Sequence, residues 1–411
     1  MAGRIAICIT LVLLGGSTAQ ACGYGFYRWM GYQGLEIVLR DYDEVKAKLD
    51  SATTSEDATV LRSELERLAT AVDEVASQRH ATVSRLYWYT DLEKAKTAAT
   101  ESGKPILTLR MLGKLTDEFS CANSRFFRTV LYANKQVGDA LREKFILHWE
   151  SERPVPRVTI DFGDGRKLER TLTGNSAHYL LTAKGEPLDV LPGLYGPKEF
   201  LAWLDRTEAL SGAYTAETDE KKKAQLLSNF HRDRLSEVHE AWLEDVQKVA
   251  PELLGDNNIA LLQTIAPELL SDERVTLPFN DKRWQLVAQL HPGDATLDEQ
   301  SVKLIREEQS DAFEAGARSM SKSFVEDPIL RQVRTFQNSI ALDTVRNEYL
   351  LHRQIHAWFA AGEAPSDFGQ LNDRVYSELF LTPASDPWLG LAPVDTYTAL
   401  ENSGLSVTES R

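Results

Sequence analysis

Cysteine is scarce in this chain, with Cys8, Cys22 and Cys121 the only three among 411 residues. So few cannot build the bridges of a small disulfide-stapled domain. With no four closely spaced nitrogen or sulfur ligands, a structural zinc module is excluded as well. Positive charge is also short: 46 lysines and arginines stand against 61 acidic residues, a net charge of −15. No basic patch stands out to neutralise phosphates, so nucleic acid is not an expected partner, and anionic membrane surfaces are disfavoured. Phosphate and cofactor signatures are missing too. Gly163-Asp164-Gly165 lacks the Lys-Ser/Thr or G-x-G-x-x-G context of a phosphate cradle and reads as a turn. There is no G-x-S-x-G elbow and no C-x-x-C-H haem site, so no cofactor is expected. Lys221-Lys222-Lys223, preceded by Asp219 and Glu220, reads as a solvated helix end.

What remains is an ordinary globular balance, 43% hydrophobic and 26% charged. A chain of 411 residues exceeds what one core usually holds, which predicts two domains or one domain with a large helical annex. The only long apolar stretch is at the start. Arg4, the run Ile5 to Leu14 and the small-x-small triplet Ala19-Gln20-Ala21 read as a secretory signal over residues 1–21, too short to span a bilayer. Cys22 follows directly, so simple cleavage and lipid attachment at Cys22 both stay open. Ala19 and Gln20 fit a lipid-attachment box poorly, because a large aliphatic residue is expected three places before the cysteine. An exported protein is expected, periplasmic or secreted, with membrane contact only if Cys22 is lipidated.

Residues 22–86 read as an N-terminal helical arm. It opens with an aromatic cluster (Tyr24, Phe26, Tyr27, Trp29, Met30, Tyr32) that either packs on the body or forms an interfacial patch. Val60, Leu61, Leu65, Leu68, Val72 and Val75 then recur at three- and four-residue spacing, one amphipathic helix that can pair with residues 36–50 as a hairpin. From Trp88 the pattern becomes mixed. Asp91 to Ala99 is a short helix ended by Gly103-Lys104-Pro105, and Ile106 to Leu112 is an apolar strand. Ser120 or Asn123 caps a helix expected to run to about Lys144, and Phe145 to Trp149 is a second strand. Two hairpins follow, Val158–Phe162 with Lys167–Arg170 and Tyr179–Leu181 with Leu188–Leu191, and then a helix over Gly196–Leu204 with proline in its first turn. Residues 207–411 read as helical almost throughout, in segments at 226–249, 259–266, 284–290, 302–320 and 329–359, with joints at Pro251, Pro267, Pro278 and Pro292-Gly293. Ala250-Pro251-Glu252-Leu253-Leu254 recurs once as Ala266-Pro267-Glu268-Leu269-Leu270, without a solenoid period. An apolar tail, Asp386 to Pro393, is expected to dock on these helices.

The order helix, strand, cysteine-bearing helix start, strand, hairpin and helix over residues 88–205 resembles the thioredoxin fold. It is more narrowly similar to thioredoxin-like domains with a Glu-Arg-Pro element after the second strand, here Glu152-Arg153-Pro154. The resemblance covers a little over a quarter of the chain. It implies an α/β thioredoxin-like domain at 87–206, followed by a larger, mostly α-helical C-terminal domain. It also implies thiol–disulfide exchange through Cys121, or binding of thiol-bearing clients. The chain departs from the pattern at several places. Ser120 stands where the tryptophan before the first cysteine is usual, and Ser124 replaces the resolving cysteine. The family's cis-proline has two candidate places, Pro156 before the first hairpin, or Ser176-Ala177 before the second, in which case the first hairpin is an insertion.

A thiol at a helix start is acidified by the helix dipole and by free backbone N–H groups, and Arg125 is close enough in sequence to assist. With serine at 124, a mixed disulfide on Cys121 cannot resolve internally, which leaves monothiol exchange, shuffling or client retention. The Ser124 hydroxyl can donate to the thiolate, and His178 falls near the cysteine helix in the expected fold. The alternative is that Cys121 is a buried small hydrophobe on a redox-inactive scaffold whose helical half binds a protein partner. A Cys22–Cys121 bond is a third outcome. Farther on, Glu348, His352 and His356 lie at four-residue steps and can offer metal ligands from one helix face, or the same stripe, with Val345, Tyr349 and Phe359, is a packed face with satisfied histidines.

Overall fold

The computed structural model describes residues 24–171, 174–254, 281–307 and 328–386. The leader, Cys8, Cys22, the helical segment at 259–266, most of 302–320 and the tail beyond Asp386 lie outside the described residues. After a helical turn at Gly25–Trp29, helices α1 (Tyr32–Asp50) and α2 (Ser55–Ala76) form the expected hairpin. Thr54 caps α2 by accepting from the Asp57 amide. Leu35, Val38 and Leu39 bury against Ala71, Val72, Val75 and Ala76. The apolar stripe is covered only at this end, so Val60, near the loop, is 65% exposed. The aromatic cluster divides: Tyr24 and Tyr27 pack on the hairpin, whereas Trp29 is 76% exposed.

The centre is a five-stranded sheet of β1 (Trp88–Tyr89), β2 (Ile106–Leu112), β3 (Ile146–Arg153), β6 (Ala177–Leu181) and β7 (Pro187–Pro192), in the order β1-β3-β2-β6-β7. The first three are parallel and the last two antiparallel, with Ile106 opposite both Ile146 and Leu181. Parallel neighbours need crossover connections. Helix α3 (Leu92–Ser102), capped by Asp91 and closed by Gly103 at φ 72°, joins β1 to β2. The segment holding α4 (Ala122–Phe126) and α5 (Lys135–Lys144) joins β2 to β3. Strand β2, flanked on both sides, reads as a continuous apolar run because both its faces are covered.

The expected single helix from 123 to 144 is broken in two. A π-helical turn at Phe127–Leu131 ends the first piece, and Asn134 starts the second by accepting from the Gln136 and Val137 amides. A side-chain acceptor in the middle of an apolar periodicity has here capped a new helix rather than faced solvent.

Strands β4 (Arg157–Asp161) and β5 (Lys167–Thr171) form a separate two-stranded sheet, turning at Gly163 and Gly165. This hairpin lies outside the central sheet, and Ser176, not Pro156, precedes the next strand of that sheet. The remaining helices are α6 (Pro197–Ala216), α7 (Glu220–Val249), α8 (Asp281–Leu290), α9 (Pro328–Arg346), α10 (Arg353–Ala361) and α11 (Phe368–Arg374). Of these, α6 and α10 pack on β7, while α8 packs on α7 and α9. One hydrophobic cluster runs from Leu107 and Leu180 through Phe200 and Trp203 to Trp242 and Tyr349. A second joins Ala95, Ala99, Tyr179 and Val190 to Ile355, Trp358 and Leu371. Among the described residues no helix is long and apolar enough to cross a membrane.

Candidate functional site

Two polar centres flank the sheet. The first lies beyond the end of β2. Gly113, at φ 76°, lets the chain turn back so closely that a Cβ there would lie 3.3 Å from the Ser120 Cα. The buried Arg128 then pins the returning loop. Its Nη1 donates to the Asp117 carbonyl at 2.6 Å and to Ser120 Oγ at 3.0 Å, and its Nη2 to the Glu118 carbonyl. Cys121 follows as the cap residue of α4, and its Sγ accepts from the Ser124 amide at 3.4 Å. Cysteine itself thus occupies the capping position expected of Ser120 or Asn123.

The sulfur is a free thiol with no exposed surface. Burial pushes the Cys121 thiol up, and the amides of Ser124, Leu112 and Asn123, together with the Arg125 charge, do not offset it. The expected acidification is outweighed by desolvation. Arg125 turns its guanidinium to the Ser120 carbonyl and the Thr171 hydroxyl. Ser124 is buried and its hydroxyl has no hydrogen-bond partner; the bond to sulfur comes from its backbone instead. Asn123 donates to Ser176 at 2.9 Å. His178 sits on β6 with its Nε2 bonded to the Tyr132 hydroxyl at 2.7 Å rather than to Cys121, its ring edge-on to Phe127 and Phe200. Burial lowers His178 to about 3, so it is neutral. Tyr376, in a π-helical turn at Val375–Leu379, is close enough to interact electrostatically with Cys121. Its neighbours are tied down by Arg153, which donates to the carbonyls of Thr382, Pro383 and Asp386.

The second centre lies where β7 meets the helices. Between α9 and α10 a π-helical turn at Asn347–His352 carries Glu348 and His352 inward, and His356 follows on α10. These three come together as their spacing predicts. Asp189 on β7 and His231 on α7 join them. The ligating atoms of Glu348, His352 and His356 lie within 4.8 Å of one another, and so do those of Asp189, His231 and His356. His352 bridges the carboxylates, with Nδ1 2.8 Å from Glu348 and Nε2 3.4 Å from Asp189. Burial alone would lower His352, but the two carboxylates push it up to about 9. Burial would likewise raise Asp189, yet His352 holds its carboxyl below the ordinary range. Asp189 also accepts from the Val190 amide at 2.8 Å and from Trp203 Nε1 at 2.9 Å.

The hydrogen-bond pattern fixes the other two rings. His231 Nε2 is 2.9 Å from the Leu188 carbonyl, which only accepts, so the proton is on Nε2. Burial keeps His231 neutral, and its Nδ1 accepts a hydrogen bond from His356 Nδ1 at 2.8 Å. His356, also kept neutral, is left with a bare Nε2 that is buried and unpartnered. Beside this cluster is a cleft of about 310 Å³, with Glu348, Arg206, Arg234, His291 and Tyr349 in its lining. Asp245, beneath it, accepts from His291 Nε2 and from the Tyr349 hydroxyl, each at 2.6 Å.

Sequence reasoning missed Asp189, His231, Asp245 and His291. No spacing signal could have found them, because each is isolated in its own segment and meets its partners only through the fold. Comparison with family models, with curated proteins and with solved structures returns no match.

Proposed function

We propose that residues 87–206 form a thioredoxin-like domain that works as a non-catalytic scaffold in an exported protein, with the helical half serving a protein partner. The strand order and directions support the thioredoxin-like reading, as does a cysteine opening the helix after β2. The burial of Cys121 carries the choice of scaffold. Exchange needs a thiolate that can reach a disulfide sulfur in line, whereas this sulfur is wholly covered and its thiol is pushed up by desolvation. Ser124 also removes the route by which a mixed disulfide would resolve. A second reading, monothiol exchange or client binding through Cys121, draws on one specific feature: Sγ sits at the α4 start and accepts the Ser124 amide, the position in which a thiolate would be stabilised.

Alkylation separates the two. In a Cys22→Ser background, folded protein is treated with iodoacetamide from pH 6 to 9 and the modification at Cys121 is followed by mass spectrometry. The scaffold reading expects labelling only after denaturation. Rapid labelling of the folded protein, rising with an apparent pKa below that of an ordinary thiol, would overturn it in favour of exchange.

A further inference from the structure

We propose that Asp189, His231, Glu348, His352 and His356 form a binding site for one divalent first-row transition-metal ion of the zinc class, with His356 as the ligand common to both halves of the site. Five observations converge on it. The two donor groups each combine imidazole with carboxylate and overlap at His356, all ligating atoms of each group lying within 4.8 Å. Mixed nitrogen and oxygen donors suit zinc, cobalt, nickel or iron, whereas calcium and magnesium take oxygen.

The hydrogen-bond pattern leaves His356 Nε2 as a bare lone pair, buried and satisfied by no donor in the protein. A buried acceptor without a partner is costly, and a cation is the partner such a nitrogen lacks. His231 is already oriented as ligating histidines are, with one ring N–H held by a backbone carbonyl, here Leu188, and the other nitrogen turned to the cluster. The buried Asp189 and the partly exposed Glu348 supply the charge a dication needs, and Asp189 is itself oriented by the Val190 amide and Trp203. Finally, Glu348 lines the adjacent cleft, so an ion and its exchangeable water have a way in from solvent. In the described structure the same groups hold one another by hydrogen bonds; an ion would replace the bonds from His352 to the carboxylates and the bond between His231 and His356, and His352 would release a proton to solvent on ligating. The inference is independent of any chemistry at Cys121.

The test uses the full mature chain, stripped with a chelator and then titrated with Zn²⁺ or Co²⁺ alone. One equivalent should bind tightly, raise the melting temperature, and give the Co²⁺ form visible ligand-field bands. X-ray absorption of the zinc-loaded wild-type protein should show a mixed nitrogen/oxygen shell with the multiple-scattering pattern of imidazole, a readout that needs no variant. His356→Gln, checked for folding by circular dichroism, should weaken binding about a hundredfold. A failure to bind one equivalent overturns the proposal. So does an all-oxygen shell, or affinity unchanged in a folded His356→Gln protein, each of which would assign the ion to surface carboxylates.

Discussion

The two polar centres on this sheet both hold buried titratable groups and behave in opposite ways. Cys121 and the buried histidines of β6 and β3 have no carboxylate as hydrogen-bond partner: His178 meets a tyrosine hydroxyl, and His148 meets the Thr108 hydroxyl at 2.6 Å. Burial is the largest influence on each of them, and both histidines and the thiol are held uncharged. At the seam between β7 and the helices His352 is also buried, but it lies between two carboxylates and is held charged. Burial silences a group when its partners are neutral and stores charge when they are not.

The largest expected effect tests that contrast directly. Asp189→Ala takes the side-chain acceptor from Trp203 Nε1 and the Val190 amide and leaves a charged His352 with Glu348 as its one carboxylate partner. Breaking one partner out of such a network should cost about 3–5 kcal/mol. Cys121→Ala removes only a capping contact and a small side chain, about 1 kcal/mol. Urea denaturation of both variants against wild type gives the two numbers. If they come out equal, the two centres do not differ in the way their partners indicate.

The next test uses pH. Burial lowers His148 from 6.5 to about 4, with the Arg110 charge adding to it. The unfolded imidazole takes its proton near 6.5 while the folded one refuses it until about 4. As pH falls through that window the unfolded state binds more protons, so stability drops, and above it the contribution is fully present. The loss between pH 6.5 and 4 should approach about 3 kcal/mol, and His148→Asn should flatten the slope over that range. An unchanged slope in the variant would mean that His148 is charged or solvated in the folded protein, which would sharpen the search for a counter-charge in the sheet.

The same contrast explains what the sequence could disclose. The Cys121 centre is built from neighbours along the chain: an apolar strand, a loop and a helix start. Local signals (Asp91 and Gly103 bounding α3, the Gly163-Asp164-Gly165 turn, Pro197 opening α6) therefore placed most of the surrounding elements. What they could not disclose is that the sulfur is covered, because contacts at that end come from Thr171, Ser176 and Tyr376. Nor did they disclose the break at 127–134, since Asn134 reads as a polar residue on a helix until the π-helical turn makes it a cap. The histidine cluster is the reverse case. Three of its members share one helical stripe and were visible by spacing, but His231 lies 125 residues from His356, and Asp189 lies 163 from His352. Periodicity records which residues share a face; only the tertiary fold decides which faces meet.

The smallest expected effect bears on how Cys121 is read. The Ser124 hydroxyl is buried and bonded to nothing, so Ser124→Ala removes an unsatisfied polar group from the interior and places a better helix former on α4. The variant should be as stable as wild type or more stable by up to about 1 kcal/mol, in thermal or urea unfolding. A loss of more than about 1 kcal/mol would instead mean that the hydroxyl makes a bond in solution. One acceptor on the same helix turn is the Cys121 sulfur, already held by the Ser124 amide. A serine donating to that sulfur would favour the thiolate over the thiol, and the site would then be shaped for a charged sulfur rather than a silent one. The sign of this one small number therefore separates a cysteine retained for packing from one kept ready to react.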